Sequence, residues 1–148
     1  MNGIFFTLRE AVLKGLLIRE DPVTKILDGT KTMEIRNFFC KCIKPGGTFY
    51  ILRLFRRGDA KNSQGQNCVA VVGKVEFEAN HFIPHGIFQS FYKDHQVSED
   101  EYKMMRQGWK EKGGAVAWKI KLLEKFDPPK YLAHTSQEGL YVVRVFQG

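Results

Sequence analysis

Between Gly29 and Arg36 the chain reads Gly-Thr-Lys-Thr-Met-Glu-Ile-Arg, which brings an ammonium, a carboxylate, a guanidinium and two hydroxyls into one short segment. Extended backbone sends alternate side chains to opposite faces. On a strand over 31–36, Thr32, Glu34 and Arg36 therefore share a face, and Lys31, nearest the preceding turn, reaches either one. An arginine held beside a glutamate presents its planar fork to a phosphate or to a base edge, and a lysine at a helix exit meets phosphate as a mobile point charge. A carboxylate whose pKa is raised by burial could act instead as a general base on water. The same residues also fit a structural role, an ion pair pinning the helix–strand turn.

The next segment adds charge. From Arg36 to Lys61 the cations are Arg36, Lys41, Lys44, Arg53, Arg56, Arg57 and Lys61 against Asp59 alone, so this stretch holds +6 of the formal net charge of +7. A local basic cluster raises the concentration of polyanions around it and speeds their capture. Phe38, Phe39, Tyr50 and Phe55 are interleaved with it, and aromatic faces beside Lys and Arg suit unstacked bases and their phosphates. The plain alternatives are a solvated loop and aromatics that fill the core. In the nucleic-acid reading, Lys31, Glu34 and Arg36 meet a base while Arg53, Arg56, Arg57 and Lys61 grip the backbone. The chain has no glycine-rich phosphate loop of either common kind.

Other reactive types give weaker signals. A ribonuclease would want an acid–base pair with a phosphate clamp, and His81, His85, His95 and His134 are candidates by type alone. His95 is the best placed of them, just before a capped helix. Cys40 and Cys42 are one residue apart and Cys68 is the third cysteine, which does not match the paired spacing of a structural zinc site. We expect buried thiols, no metal and no cofactor.

The elements that must position these groups are legible in outline. Residues 14–19 form an apolar run of strand length. Asp21-Pro22 predicts a helix start, with Asp21 as N-cap, and Gly29 ends that helix. Pro45-Gly46-Gly47 is a turn into a strand over 48–55, and 56–66 reads as an exposed loop. Residues 68–78 alternate as a strand, with a bulge or close backbone approach expected at Gly73. Residues 80–86 read as a loop carrying His81 and His85, followed by a short helix over 87–93. Ser98 and Glu101 have capping-box spacing, and Tyr102, Met105 and Trp109 share one face of the helix that follows, a stripe expected in the core. A strand over 115–123, a break at Pro128-Pro129 and a final strand over 141–146 complete the pattern.

A chain of 148 residues fits one domain, which buries roughly two-thirds of its unfolded surface. Residues 1–13 read as an extension packed on a domain spanning 14–148. The apolar run Ile4-Phe5-Phe6 is too short for a signal segment, and no run approaches membrane-spanning length. The odd cysteine count, without a closely spaced framework, points to a reducing compartment, cytoplasmic or nuclear. A monomer is expected.

Gly29-x-Lys31-x-x-Glu34-x-Arg36, with the helix and strand before it, resembles the G-x-K-x-x-E-x-R signature of ASCH domains. The tight match covers residues 22–36; a looser one extends over about 14–146 through the strand 69–77, the segment 91–102 and the strand carrying Trp118. The resemblance implies an α+β fold, a small PUA-like β-barrel with flanking short helices, and a cleft beside the motif. It implies an RNA or modified-nucleobase binding module, with protein partners in transcription or RNA processing. Some relatives instead hydrolyse N4-acetylcytidine and others are ribonucleases, in both cases without metal. Among the amidohydrolases the resemblance assigns a lysine, a threonine two positions before the motif arginine, and a downstream carboxylate. Here Lys31 matches, Glu34 replaces the threonine, Thr32 lies two residues earlier, and the carboxylate falls near Asp94. The catalytic candidates, if there is turnover, are therefore Lys31, Glu34 and Thr32, and the departure at Glu34 weighs against turnover.

Overall fold

The computed structural model describes residues 5–6, 15–41, 43–53, 65, 69–110 and 113–132. Its strands are β1 (Phe5–Phe6), β2 (Gly15–Ile18), β3 (Met33–Arg36), β4 (Thr48–Arg53), β5 (Ala70–Pro84) and β6 (Gly114–Leu132), and its helices α1 (Glu20–Leu27), α2 (Tyr92–His95) and α3 (Glu99–Arg106), with a 3-10 helix over His85–Phe91. The strands form one mixed sheet in the order β1-β6-β5-β4-β2, with β3 also paired to β6. The β1–β6 and β2–β4 ladders are parallel, the others antiparallel. This is an α+β fold. The described ladders do not close on themselves, and the strand expected over 141–146 lies outside the described residues.

Two core clusters sandwich the sheet. Leu16, Ile18, Val23, Ile26, Phe49 and Trp118 belong to one, which α1 covers. Met33, Ile35, Phe88, Val97, Tyr102 and Ala117 belong to the other, under the 3-10 helix and α3. The alternation along β6 divides cleanly, with Val116, Trp118 and Ile120 on the first side and Ala115 and Ala117 on the second.

α1 begins earlier than Asp21-Pro22 suggested. Arg19 is the N-cap, with no side-chain cap bond. Asp21 and Pro22 fall inside the first turn, where a carboxylate still complements the helix dipole and proline's missing N–H costs nothing; the Val23 N–H is the one that reaches the Arg19 carbonyl, at 3.1 Å. Gly29 ends the helix with φ +85, a conformation that only glycine adopts without strain.

β5 and β6 are longer than the sequence suggested. Residues 80–84 continue β5 instead of forming a loop, because β6 pairs with them from Asn80↔Trp118 to Pro84↔Gly114. Pro128-Pro129 does not end β6. Successive ladder pairs jump from Gly73↔Lys125 to Val71↔Lys130, so the prolines sit in an irregular stretch where no N–H is required. Gly73 lies at this shift and in close contact with α1: a Cβ there would meet Leu27 Cδ2 at 2.8 Å.

Candidate functional site

A cavity of about 630 Å³ opens between β3, the start of α1 and α3. Its floor comes from Lys31, Glu34, Arg36 and Phe38, one wall from Arg19, Asp21 and Lys25, and the other from Glu101, Met105 and Trp109. Register explains the floor. Glu34 lies opposite Trp118 and Arg36 opposite Val116 on β6, so both polar side chains emerge on the Trp118 side while Met33 and Ile35 take the other.

Glu34 is the centre of the polar floor. Its Oε2 accepts from Arg36 Nη2 at 2.7 Å, and its Oε1 lies 3.7 Å from Lys31 Nζ. Lys31 is only 4 % exposed, and its ammonium also donates to the His95 main-chain carbonyl at 2.5 Å. Burial pulls the Lys31 pKa below its ordinary value, opposed by the neighbouring Glu34 charge. Arg36 Nε, in contrast, is buried with no hydrogen-bond partner among the described residues. The guanidinium lies 6.0 Å from the centre of the Trp118 ring. That ring is fixed by its own Nε1–H, which donates to the Phe38 carbonyl at 3.0 Å, and by an edge contact with the Phe38 ring at 5.6 Å.

The structure brings together three of the motif residues and leaves the others elsewhere. Thr32 does not join Glu34 and Arg36. It is exposed, outside the cavity lining, and its N–H donates to the Asp94 carbonyl at 2.8 Å. Its carbonyl accepts from the Ile120 N–H on β6 at 3.0 Å. Arg53 is not a surface grip: it is 4 % exposed on β4 and is not part of the cavity lining. Arg56, Arg57 and Lys61 lie outside the described residues, as do Phe55, Cys42, Cys68 and His134.

The remaining histidines serve the fold. His95 is fully buried, its Nε2 facing the Phe88 carbonyl at 2.9 Å and its Nδ1 accepting from the Val97 N–H at 2.9 Å. That pattern fixes the neutral ring with hydrogen on Nε2. Burial lowers the His95 pKa, and neither nitrogen is available for acid–base work. His85 is bonded to the Tyr102 hydroxyl, and His81 packs edge-on against Phe91. Among the described residues, no group of three or more His, Cys, Asp or Glu side chains is placed to hold a metal, and Cys40 is buried.

Many cavity residues are not marked as site residues by the sequence, Glu101, Met105 and Trp109 among them. Glu101 is legible there only as a capping residue, and both capping-box bonds to Ser98 are present. It nevertheless lines the cleft and acts electrostatically on Lys31, whereas Asp94, near which the resemblance implies a downstream carboxylate, is not in the lining. Met105 and Trp109 are expected in the core with Tyr102. Tyr102 is buried, but the other two are half-buried and form the apolar wall.

No family model matches the chain, and no curated protein matches it. Solved structures do. The chain is similar to ASCH from Zymomonas mobilis, at a TM-score of 0.54 and 19 % identity over 88 % of this chain and 79 % of that one. A serine-to-alanine mutant of the same protein gives 0.54 and 16 %, covering 86 % of this chain and 90 % of that one, and a tyrosine-to-phenylalanine mutant gives 0.50 and 18 %, covering 86 % and 94 %. The chain has the ASCH fold. No helix among the described residues is long and apolar enough to cross a membrane.

Proposed function

We propose that this chain is a PUA-like RNA-binding module that seats one unstacked base, plain or modified, in the cleft over Lys31, Glu34 and Arg36, with Arg56, Arg57 and Lys61 gripping the backbone beside it. One observation carries the reading: a cavity of about 630 Å³ is lined by the hydrogen-bonding side chains of Lys31, Glu34 and Arg36 together with the aromatic and thioether side chains of Phe38, Met105 and Trp109. Pockets of this size suit a single small planar group, and aromatic walls bind bases by stacking. The test is a titration with short single-stranded RNA at low and moderate salt. Binding should fall with salt, and Arg56→Ala/Arg57→Ala should lower the log–log salt slope by about 1.4, roughly 0.7 for each phosphate no longer neutralised. Absence of binding at low salt would remove the reading.

A second reading, hydrolysis of an acylated nucleoside, is favoured by the buried Lys31 ammonium beside Glu34 with the Glu101 carboxylate on the opposite wall. It requires metal-free product formation that stops in Lys31→Ala; turnover surviving that change would exclude it. RNA binding is preferred because Glu34 offers no hydroxyl nucleophile and is already engaged by Arg36.

A further inference from the structure

We infer that an RNA strand leaving the cleft crosses a second surface outside it, where Phe39 and Phe82 stack unpaired flanking bases and Lys41 and Lys44 meet their phosphates. The inference rests on the RNA-binding reading above and extends it from the seated base to its neighbours along the strand.

Phe39 and Phe82 are 47 % and 42 % exposed. Phe38 sets its edge against Trp118, but neither of these two packs on another ring among the described residues. Single exposed apolar side chains are ordinary; the placement of this pair is what matters. On β6, Val116 lies between Arg36 of β3 and Phe82 of β5, and Trp118 lies between Glu34 and Asn80. Residues directly opposite in antiparallel strands share a face, so Phe82 is on the face of Arg36 and Trp118. The chain after β3 crosses that face. The Phe38 carbonyl accepts from Trp118 Nε1 at 3.0 Å. The Cys40 main chain is held at its N–H and its carbonyl by the Asn80 side chain, at 2.8 and 3.0 Å. Phe39 is the residue between those two anchors, and Phe82 stands two residues beyond Asn80 along β5, roughly 7 Å away.

This surface continues from the cleft. Arg36, Asn37 and Phe38 belong to the cavity lining, and Phe39 is the first residue beyond it. Lys41 and Lys44 follow, both exposed and in no ion pair among the described residues. Main-chain bonds of Gly46 and Gly47 to Phe77 hold their segment along β5. The carboxylates on this stretch of β5 are Glu78, which is exposed, and Glu76, which lies opposite Lys121 in the ladder. The two lysines therefore leave the edge with an excess of positive charge, which suits a polyanion.

The edge is poorly suited to an added peptide strand. β4 pairs with β5 only as far as Glu76, the Asn80 clamp occupies the next stretch, and the rest ends at Pro84, which has no N–H. Open ring faces beside lysines instead match unstacked bases and their phosphates, a contact that tolerates any base because each has a π-face.

The test uses the full chain and a labelled short single-stranded RNA, compared with a strand of equal length that keeps one base and is abasic elsewhere. The full RNA should bind at least roughly fivefold tighter, the lower end of what one base–aromatic stack contributes. Phe39→Leu/Phe82→Leu keeps an apolar surface but removes the rings. It should abolish that advantage and leave the salt dependence unchanged. Lys41→Ala/Lys44→Ala should keep the advantage and lower the log–log salt slope by about 1.4, roughly 0.7 for each phosphate no longer neutralised. Equal binding of the two strands by the parent chain, an undiminished advantage in a folded leucine variant, or an unchanged slope in the lysine variant would overturn the inference and leave the RNA-binding reading intact. A dimer of the parent chain, seen in sedimentation and dissociated by the leucine variant, would give the surface to a second copy and overturn the inference as well. No RNA binding at low salt would end both. The comparison of the two strands uses the unmodified chain and decides the matter even if a variant fails to fold.

Discussion

The Lys31 ammonium donates to the main-chain carbonyl of His95 across 64 residues of sequence, at 2.5 Å. This bond ties the entry to β3, which supplies the cleft floor, to the connection before α3, which supplies its apolar wall. The His95 ring continues the tie through a stack on Phe88 at 4.0 Å, which stacks in turn on Tyr102 at 3.5 Å. The floor and the α3 wall are therefore positioned by one continuous set of contacts.

Lys31→Ala should cost about 1–3 kcal/mol of stability, the usual range for removing a charge-assisted hydrogen bond at a buried site. The urea midpoint measures this. Ligand affinity should fall along with stability, because the two sides of the cleft lose their shared anchor.

Glu34→Gln keeps the shape of the floor but removes its negative charge. Lys31 and Arg36 then stand uncompensated, and the loss of the carboxylate should cost about 2–3 kcal/mol, below the usual range for breaking a buried pair because Arg36 is partly exposed. The floor becomes more positive, so the variant should bind phosphate more tightly than the parent chain. Isothermal titration with inorganic phosphate checks this, and an unchanged response would contradict the role given to Glu34.

Stability should depend on the His95 ring. Its pKa in the folded chain lies below the ordinary 6.5 because of burial, so between that lowered value and 6.5 the unfolded chain binds more protons than the folded one. The contribution is fully present above about pH 6.5 and is lost as the pH falls through that window. Urea midpoints measured across the range should decline on the acid side, and His95→Gln should flatten that decline.

Ser98→Ala removes the N-cap of α3 and should cost about 1 kcal/mol. It also removes the Ser98 hydroxyl from Glu101 while leaving the main-chain N–H that donates to the same carboxylate oxygen. Thermal unfolding should register the lost cap.

Local signals were reliable where local physics decides. The Ser98–Glu101 capping box, the Gly29 stop, the irregularity at Gly73 and the pairing of Glu34 with Arg36 all follow from short-range geometry. The misplaced elements share a different cause. Residues 80–84 look like a loop and Pro128-Pro129 looks like a break until a partner strand is present. β6 supplies the partner, and a register shift accommodates the prolines. Thr32 is exposed and outside the cavity lining, its N–H bonded to the Asp94 carbonyl of a distant segment.

The sequence by itself determined that Glu34 and Arg36 share a face behind a helix stop, because spacing along an extended chain sets which side chains meet; it left Lys31 free to reach either face, and the structure brought it to Glu34. The sequence also determined the α+β class and the resemblance to ASCH domains. Only the tertiary structure decided what stands opposite that group. Glu101, Met105 and Trp109 come to the cleft because α3 docks on Met33 and Ile35, and His95 becomes a structural clamp because packing removes it from water. These outcomes depend on contacts between distant segments, whose pairing is fixed by the burial of the whole core and not by any local pattern.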